Sequence, residues 1–165
     1  EMLYIANVGE DEIGDEDNEK VKLIREYASK EDSEVIVISA KIEEEIATLE
    51  DEDREMFLED LGIEEPGLDR LIRTTYDLLG LATYFTAGVQ EVRAWTFISG
   101  MTAPQCAGII HTDFERGFIR AEVTSYDDYV EFNGENGAKD AGKQRLEGKE
   151  YIMKDGDVVH FRFNV

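Results

Sequence analysis

The chain has 165 residues, with 17 Lys and Arg against 39 Asp and Glu and a formal net charge of −22. That length suits one domain or two small ones, each burying roughly 60% of its unfolded surface. The single cysteine, Cys106, excludes an internal disulfide framework, no apolar run reaches membrane-spanning length, and no basic-then-apolar leader precedes Met2. These features predict a soluble cytoplasmic protein.

The negative charge is concentrated in the first half of the chain. Residues 1–80 hold 8 Lys and Arg against 26 Asp and Glu, which gives −18, while residues 81–165 hold 9 against 13, which gives −4. An acidic surface repels phosphate backbones, so the second half is the better candidate for contacting RNA. A solvated surface is the simpler interpretation of its basic residues, which include Arg116, Arg120, Lys139, Lys143, Arg145 and Lys149.

The first half begins with a predicted strand–helix–strand unit. Residues 2–6 and 34–38 are continuous apolar runs typical of parallel strands buried on both faces, and Asp17 to Lys30 has helical periodicity. The predicted apolar stripe of that helix comprises Val21, Ile24 and Ala28, broadened by Leu23 and Tyr27. Two strands cannot cover both faces of a parallel sheet, so we expect the tail of a larger α/β domain, and hence a fragment.

Three further helices are predicted before residue 80. Two short acidic helices occupy Lys41 to Leu61, and Gly62 can end the second in a left-handed cap. Pro66 begins the third helix, which Gly80 ends. Its apolar stripe, predicted to pack against the strand–helix–strand unit, comprises Leu68, Leu71, Ile72, Thr75 and Leu79.

In the second half, short apolar runs are separated by Gly, Pro and Asp residues, which is typical of a small α+β domain. Strands are predicted over residues 92–98, 118–123 and 158–163, and a helix over 103–110 with Pro104 in its first turn. Gly156 can take a positive φ in the turn before the last strand. The aromatic residues of these strands and their surroundings are most simply core: Trp95, Phe97, Phe114, Phe118, Phe161 and Phe163. Tyr84 and Phe85 are also expected in the core, with stacking on a base or a partner as the alternative.

Ordered runs in this half carry a specific resemblance. They are Thr83-Tyr-Phe-Thr-Ala-Gly88, Arg93-Ala-Trp-Thr96, Ala103-Pro104, Ile110-His-Thr-Asp-Phe114, Gly117-Phe-Ile-Arg120, Glu147-Gly-Lys149, Asp155-Gly-Asp157 and Phe163-Asn-Val165. They closely resemble the C-terminal TGS domain of the YchF, or Obg-like ATPase, family. The resemblance implies a ubiquitin-like β-grasp fold for residues 81–165. It also implies that residues 1–80 are the C-terminal part of a P-loop nucleotide-binding G domain, so that the fold class is α/β plus α+β.

A candidate base-binding site follows the two predicted parallel strands. Asn7, Val8 and Glu10 come directly after the first strand, and ligands of open α/β sheets bind beyond the carboxyl ends of strands. Asn7 and Glu10 resemble the Asn-x-x-Glu base-recognition motif of the YchF family. Ser39-Ala40-Lys41 resembles its next base-contacting loop, which acts mainly through its backbone. The alternative is that Asn7 only caps a turn.

The sequence contains no Gly-x-x-x-x-Gly-Lys-Ser/Thr loop, so we expect no hydrolysis by this chain alone, with no catalytic or metal-binding residue and little nucleotide affinity. The resemblance implies that the full-length protein uses ATP or GTP with Mg²⁺. It also implies binding to the ribosome, to rRNA or ribosomal proteins, through the TGS domain, and neither a membrane nor DNA is expected as a partner. The alternative is a stand-alone β-grasp module that binds protein or RNA without a nucleotide.

Other candidate residues favour structural roles. We expect neither His111 nor His160 to be catalytic, because no nucleophile accompanies them. Cys106 is expected to be an inert buried thiol. The acidic runs at residues 43–45 and 50–53 lack the spacing of a calcium loop and are predicted to be solvated helix faces.

Overall fold

The computed structural model describes residues 2–15 and 18–164, and the chain divides between Leu79 and Gly80 into two compact units. The elements of the first unit are β1 (Leu3–Asn7), the 3₁₀ helix η1 (Glu10–Glu12), α1 (Glu19–Ser29), β2 (Glu34–Ile38), α2 (Ala40–Ile46), α3 (Asp51–Leu61) and α4 (Gly67–Leu78). None of the helices in the described part of the chain is long and apolar enough to span a membrane.

The strand–helix–strand prediction is confirmed, because β1 and β2 pair in parallel on either side of α1 in the sequence. Helix α1 begins at Glu19, where the Asn18 side chain accepts hydrogen bonds from the first-turn amides. The predicted start at Asp17 lies outside the described residues. Buried apolar residues of this unit are Ala6, Val21, Ala28, Ile36, Ile42 and Ile46.

The strands are not buried on both faces as predicted. Ile5, in the middle of β1, is 50% exposed, because the sheet formed by the described residues has only two strands. The stripe of α1 is also narrower than predicted, since Leu23 and Tyr27 are exposed. Helix α3 ends at Gly62 with φ 68°, which confirms the left-handed cap.

The apolar stripe of α4 does not pack as predicted. Leu68, Ile72 and Leu79 are all at least half exposed. Instead, the Arg70 guanidinium donates to the Val37 carbonyl oxygen over 2.7 Å, and buried Gly67 lies against Ile38 of β2. These contacts at the start of α4 determine which of its faces meets β2.

The second unit is a mixed sheet with helices between its strands. Its elements are β3 (Leu81–Ala87), β4 (Val92–Ile98), α5 (Ala103–Ile110), α6 (Thr112–Arg116), β5 (Phe118–Ser125), α7 (Tyr126–Glu131), α8 (Glu135–Asp140), β6 (Arg145–Glu147) and β7 (Asp157–Phe163). The strand order is β4-β3-β7-β5-β6, with β3 and β7 parallel and the other pairs antiparallel. The predicted strands, the helix at 103–110 and the positive φ of Gly156 are confirmed, although β5 runs two residues further than predicted.

The core of this unit lies between α5 and the sheet. Its buried residues are Ala82, Tyr84, Phe97, Ala103, Cys106, Ala107, Phe118, Ala121, Val123, Met153, Val159 and Phe161. The expectation of a core position is confirmed for Tyr84 and for three of the six aromatic residues. The other three, Trp95, Phe114 and Phe163, are only partly buried. Trp95 is less buried than predicted because it lies on the edge strand β4, and the Arg93 guanidinium stacks over its ring with 4.0 Å to the centroid.

Candidate functional site

The predicted base-binding residues lie at one end of the parallel strand pair. Asn7 is the last residue of β1, and the strand register pairs it with Ile38, the last residue of β2. The Val8 amide also donates to the Ile38 carbonyl oxygen over 2.9 Å. Because the two strands end side by side, the loops that begin at Val8 and Ser39 start next to each other.

A hydrogen bond joins the two loops through a predicted site residue. The backbone N–H of Ala40 donates to Oδ1 of Asn7 over 3.0 Å. Asn7 therefore bonds to a residue far away in the sequence rather than within its own turn, and its Nδ2 makes no hydrogen bond to another described residue. Ser39 is buried at 1% exposure, and its side chain does not cap α2.

Glu10 forms an ion pair that the sequence analysis missed. Its carboxylate contacts Nζ of Lys41, the residue directly after Ala40. The hydrogen bond with Glu10 raises the pKa of Lys41, so the ammonium form is favoured. The run Ser39-Ala40-Lys41 was visible in the sequence, but only the fold brings Lys41 to Glu10. The site thus holds an amide, a carboxylate and an ammonium group.

The loop between Asn7 and Glu10 is held by Glu12. Oε2 of Glu12 accepts the Gly9 N–H over 2.9 Å, and its Oε1 accepts from Nδ2 of Asn18 over 3.3 Å. A Cβ atom at Gly9 would lie 2.9 Å from a carboxylate oxygen of Asp11, so the exposed Asp11 side chain would have to move to admit one. The carboxylate of Glu12 therefore ties the loop that carries Glu10 to the start of α1.

Glu43 links α2, the helix that follows Ser39 of the candidate site, to the start of α4. Its two carboxylate oxygens accept the N–H groups of Gly67 and Leu68 over 2.8 and 3.1 Å. The prediction that residues 43–45 form a solvated face is therefore wrong for Glu43, because the first amides of a helix lack intrahelical partners and attract a carboxylate. This contact fixes α2, which begins at Ala40, against the start of α4.

In the second unit, the contacts and burial of His111, His160 and Cys106 favour structural roles for these residues. Nδ1 of His111 accepts the Asp113 N–H over 3.2 Å and caps α6. His160 is exposed beside Glu135, with 3.9 Å between Nδ1 and Oε1. Cys106 is fully buried, and desolvation followed by the nearby charge of Asp157 raises the pKa of its thiol to about 12, in agreement with an inert thiol.

Three of the six basic residues considered for RNA contact are paired with carboxylates. Lys143 lies 3.0 Å from Asp128, and Arg120 lies 3.6 Å from Glu122. Arg145 lies 3.2 Å from Glu147 and also contacts Asp157. These contacts leave less unpaired positive charge on this unit than the sequence indicated. Glu122, Glu135 and His160 form the one described cluster with metal-ligand spacing, but Arg120 and Arg162 already pair with Glu122.

A groove of about 700 Å³ opens beside the β3–β4 turn of the second unit. Its floor includes Trp95, Ile110, Phe114 and Phe163, and Val89 at its rim is fully exposed. The rings of Phe114 and Phe163 stack with centroids 3.8 Å apart. Trp95, Phe114 and Phe163, which are partly buried, therefore line a surface groove.

Comparison with known proteins identifies the family. The family model YchF-GTPase_C, described as "Protein of unknown function (DUF933)", matches residues 81–164. The chain is 67% identical to the ribosome-binding ATPase YchF of Bacillus subtilis over 165 residues, which cover 99% of this chain and 45% of the relative. It is 64% identical to the protein of the same name from Haemophilus influenzae over 163 residues, covering 99% of this chain and 44% of the relative.

Solved structures agree with this assignment. The Schizosaccharomyces pombe YchF GTPase matches with a TM-score of 0.83 at 34% identity, over 97% of this chain and 43% of that protein. A GTP-binding protein from Pyrococcus horikoshii matches with a TM-score of 0.67 at 20% identity, over 99% of this chain and 46% of that protein, and shows likeness of fold alone. The chain therefore spans less than half the length of these relatives, and its mixed α/β fold matches the C-terminal part of the YchF structure. The chain belongs to the YchF family of ribosome-binding ATPases and represents its C-terminal region.

Proposed function

We propose that this chain is the C-terminal part of a ribosome-binding protein that hydrolyses a purine nucleotide, and that its first unit supplies part of the base pocket. The observation that carries the proposal is the hydrogen bond from the Ala40 N–H to Oδ1 of Asn7, which joins both expected base-binding loops where β1 and β2 end. Crevices beyond the carboxyl ends of parallel strands are the usual ligand sites of α/β sheets. Phosphate and Mg²⁺ binding, and hydrolysis itself, would reside in the rest of the full-length protein.

The side chains present fit a purine base. Nδ2 of Asn7 can donate to N7, the ring acceptor that adenine and guanine share. The second lone pair of Oδ1 can accept from the 6-amino group of adenine while the Ala40 N–H keeps the first. The Ala40 N–H is therefore engaged in positioning Asn7 rather than free for the base.

The length of the Glu10 side chain should affect whether the pocket prefers adenine or guanine. Guanine offers N1–H and its 2-amino group as a pair of donors that an aspartate at this position can accept. Glutamate has one more methylene, so its carboxylate would overshoot that pair or have to fold back to reach it. We expect the full-length protein to bind ATP at least as well as GTP.

For the second unit we propose the TGS domain with a β-grasp fold. Its first and last strands, β3 and β7, lie side by side in the middle of a mixed sheet, with the small residues of α5 packed on one face. The names of the relatives support the ribosome as the partner. Such a role implies a cytoplasmic location.

Calorimetric titration of ATP and GTP into the full-length protein tests the proposal. Asn7→Ala should weaken ATP binding by roughly tenfold to a hundredfold, the usual contribution of a bidentate base contact, and GTP binding by less, because guanine shares only the N7 contact. Asn164→Ala, an exposed position in the other unit, is the matched control and should change neither. Glu10→Asp should shift the preference toward GTP.

Equal affinities for wild type and Asn7→Ala would refute the base-pocket assignment and favour a stand-alone interaction module. A wild type that strongly prefers GTP would show instead that Glu10 reads guanine.

A further inference from the structure

The Glu10–Lys41 ion pair changes the chemistry of the carboxylate that faces the expected base. Nζ of Lys41 contacts a carboxylate oxygen of Glu10, and both side chains remain partly exposed, at 66% and 43%. Lys41 also directly follows Ala40, whose amide is bonded to Asn7. The three functional groups therefore belong to two loops that one hydrogen bond already joins.

Adenine and guanine differ at the ring position that a carboxylate in this place would meet. N1 of guanine carries a proton and donates, whereas N1 of adenine is an acceptor. An ionised carboxylate only accepts, and an ammonium group only donates. A carboxylate alone therefore suits guanine and repels N1 of adenine.

We propose that Lys41 is a specificity-determining residue that makes the pocket tolerant of adenine. Lys41 occupies one oxygen of Glu10, which guanine would otherwise use, and its remaining ammonium protons can donate to N1 of adenine. This inference rests on the proposed function, because it concerns the same base pocket. It assigns a role to the side chain of Lys41, in a loop that the sequence predicted to act mainly through its backbone.

The expected effect is moderate because the pair is exposed. Exposed ion pairs contribute little, and a single base contact contributes less than a bidentate one, so removing the ammonium group should change the ratio of ADP to GDP affinity by roughly threefold to tenfold. Loss of affinity for ADP and gain for GDP should both contribute to this change.

The test is calorimetric titration of ADP and GDP into the full-length protein, since diphosphates avoid turnover during the measurement. Lys41→Met should move the affinity ratio toward GDP, and Lys41→Arg should retain the wild-type ratio. Lys20→Met removes the same charge from an exposed position on α1 and should have no effect. In a Glu10→Gln background, Lys41→Met should shift the ratio much less, because the carboxylate that it modulates is gone.

The outcomes separate the two proposals. If wild type binds neither diphosphate, the proposed function is wrong and this inference falls with it. If wild type binds both and Lys41→Met changes the ratio by less than about twofold, the base pocket stands and the role of Lys41 is refuted. An equal shift in Lys20→Met would also overturn it, by showing a general charge effect.

Discussion

The buried hydroxyl of Tyr84 should stabilise the second unit by a measurable amount. Tyr84 is completely buried, and its hydroxyl donates to the Cys106 carbonyl oxygen over 2.9 Å. Its ring lies 5.8 Å from those of Phe97 and Phe161, so Tyr84→Phe keeps the ring packing and removes only the hydrogen bond. In the variant, the Cys106 carbonyl oxygen still accepts the helical hydrogen bond from the amide four residues further on. It is therefore not left without a partner, and little desolvation penalty adds to the loss of the Tyr84 hydrogen bond. We expect a loss of about 1 kcal/mol in the free energy of unfolding.

Urea denaturation of the chain measures this difference. Trp95 is the only tryptophan and lies in the second unit, so its fluorescence reports on that unit. Tyr126→Phe is the matched control, because Tyr126 is 53% exposed. The control should change stability by less than about 0.5 kcal/mol. Equal stability of the two variants would refute the reasoning that the Tyr84 hydrogen bond fixes α5 to the sheet.

Three further predictions concern the interior, a helix cap and the pH dependence. Cys106 should resist alkylation at pH 8 in the folded chain and react after unfolding in urea, because it is buried and its thiol pKa is raised to about 12; rapid labelling of the native chain would contradict this. Glu43→Gln should lower the thermal stability of the first unit, with a cost of about 1 kcal/mol for weakening the cap of α4, whereas Glu44→Gln on the exposed side of α2 should not; circular dichroism measures both. The hydrogen bond with Arg162 lowers the pKa of Glu122, so its stabilising contribution is present above the unfolded pKa of about 4.3 and is lost as the pH falls through the folded value. Glu122→Gln should flatten this acid dependence in melting curves of the chain, and an unchanged profile would show that other carboxylates control it.

Local chemistry made parts of the fold predictable. Helix α5 begins where the sequence indicated, because Pro104 suits a first helical turn. The cap at Gly62 and the turn at Gly156 follow from glycine's access to positive φ. Pairing of β1 with β2 follows from two apolar runs separated by one amphipathic helix.

The orientation of α4 could not be predicted in this way. Periodicity shows which residues share a face of a helix, but not which face meets its neighbour. Here Arg70 and Gly67 make the contacts to β2, while Leu68 and Ile72 reach solvent.

The candidate site was predictable only in outline. The positions of Asn7 and Ala40 follow from strand ends, so their proximity was implied by a parallel pair. The partners of Glu10 and Glu43 depend on tertiary distances between charged side chains that look alike in the sequence. Glu43 differs from its neighbours in the acidic run only because it faces the amides at the start of α4.

The central parallel pair of the second unit has a consequence for synthesis of the chain. Strand β3 opens this unit and β7 is its last strand, yet they are neighbours in the sheet through Phe85 and Val158. β7 lies between β3 and β5 and pairs with both. Until β7 has left the ribosomal exit tunnel, the emerging chain can form local helices and the β3–β4 hairpin but not the complete five-stranded sheet. The aromatic side chains of the core therefore stay accessible to chaperones until β7 emerges, and a stop codon shortly before β7 should yield an aggregating product rather than a smaller folded one.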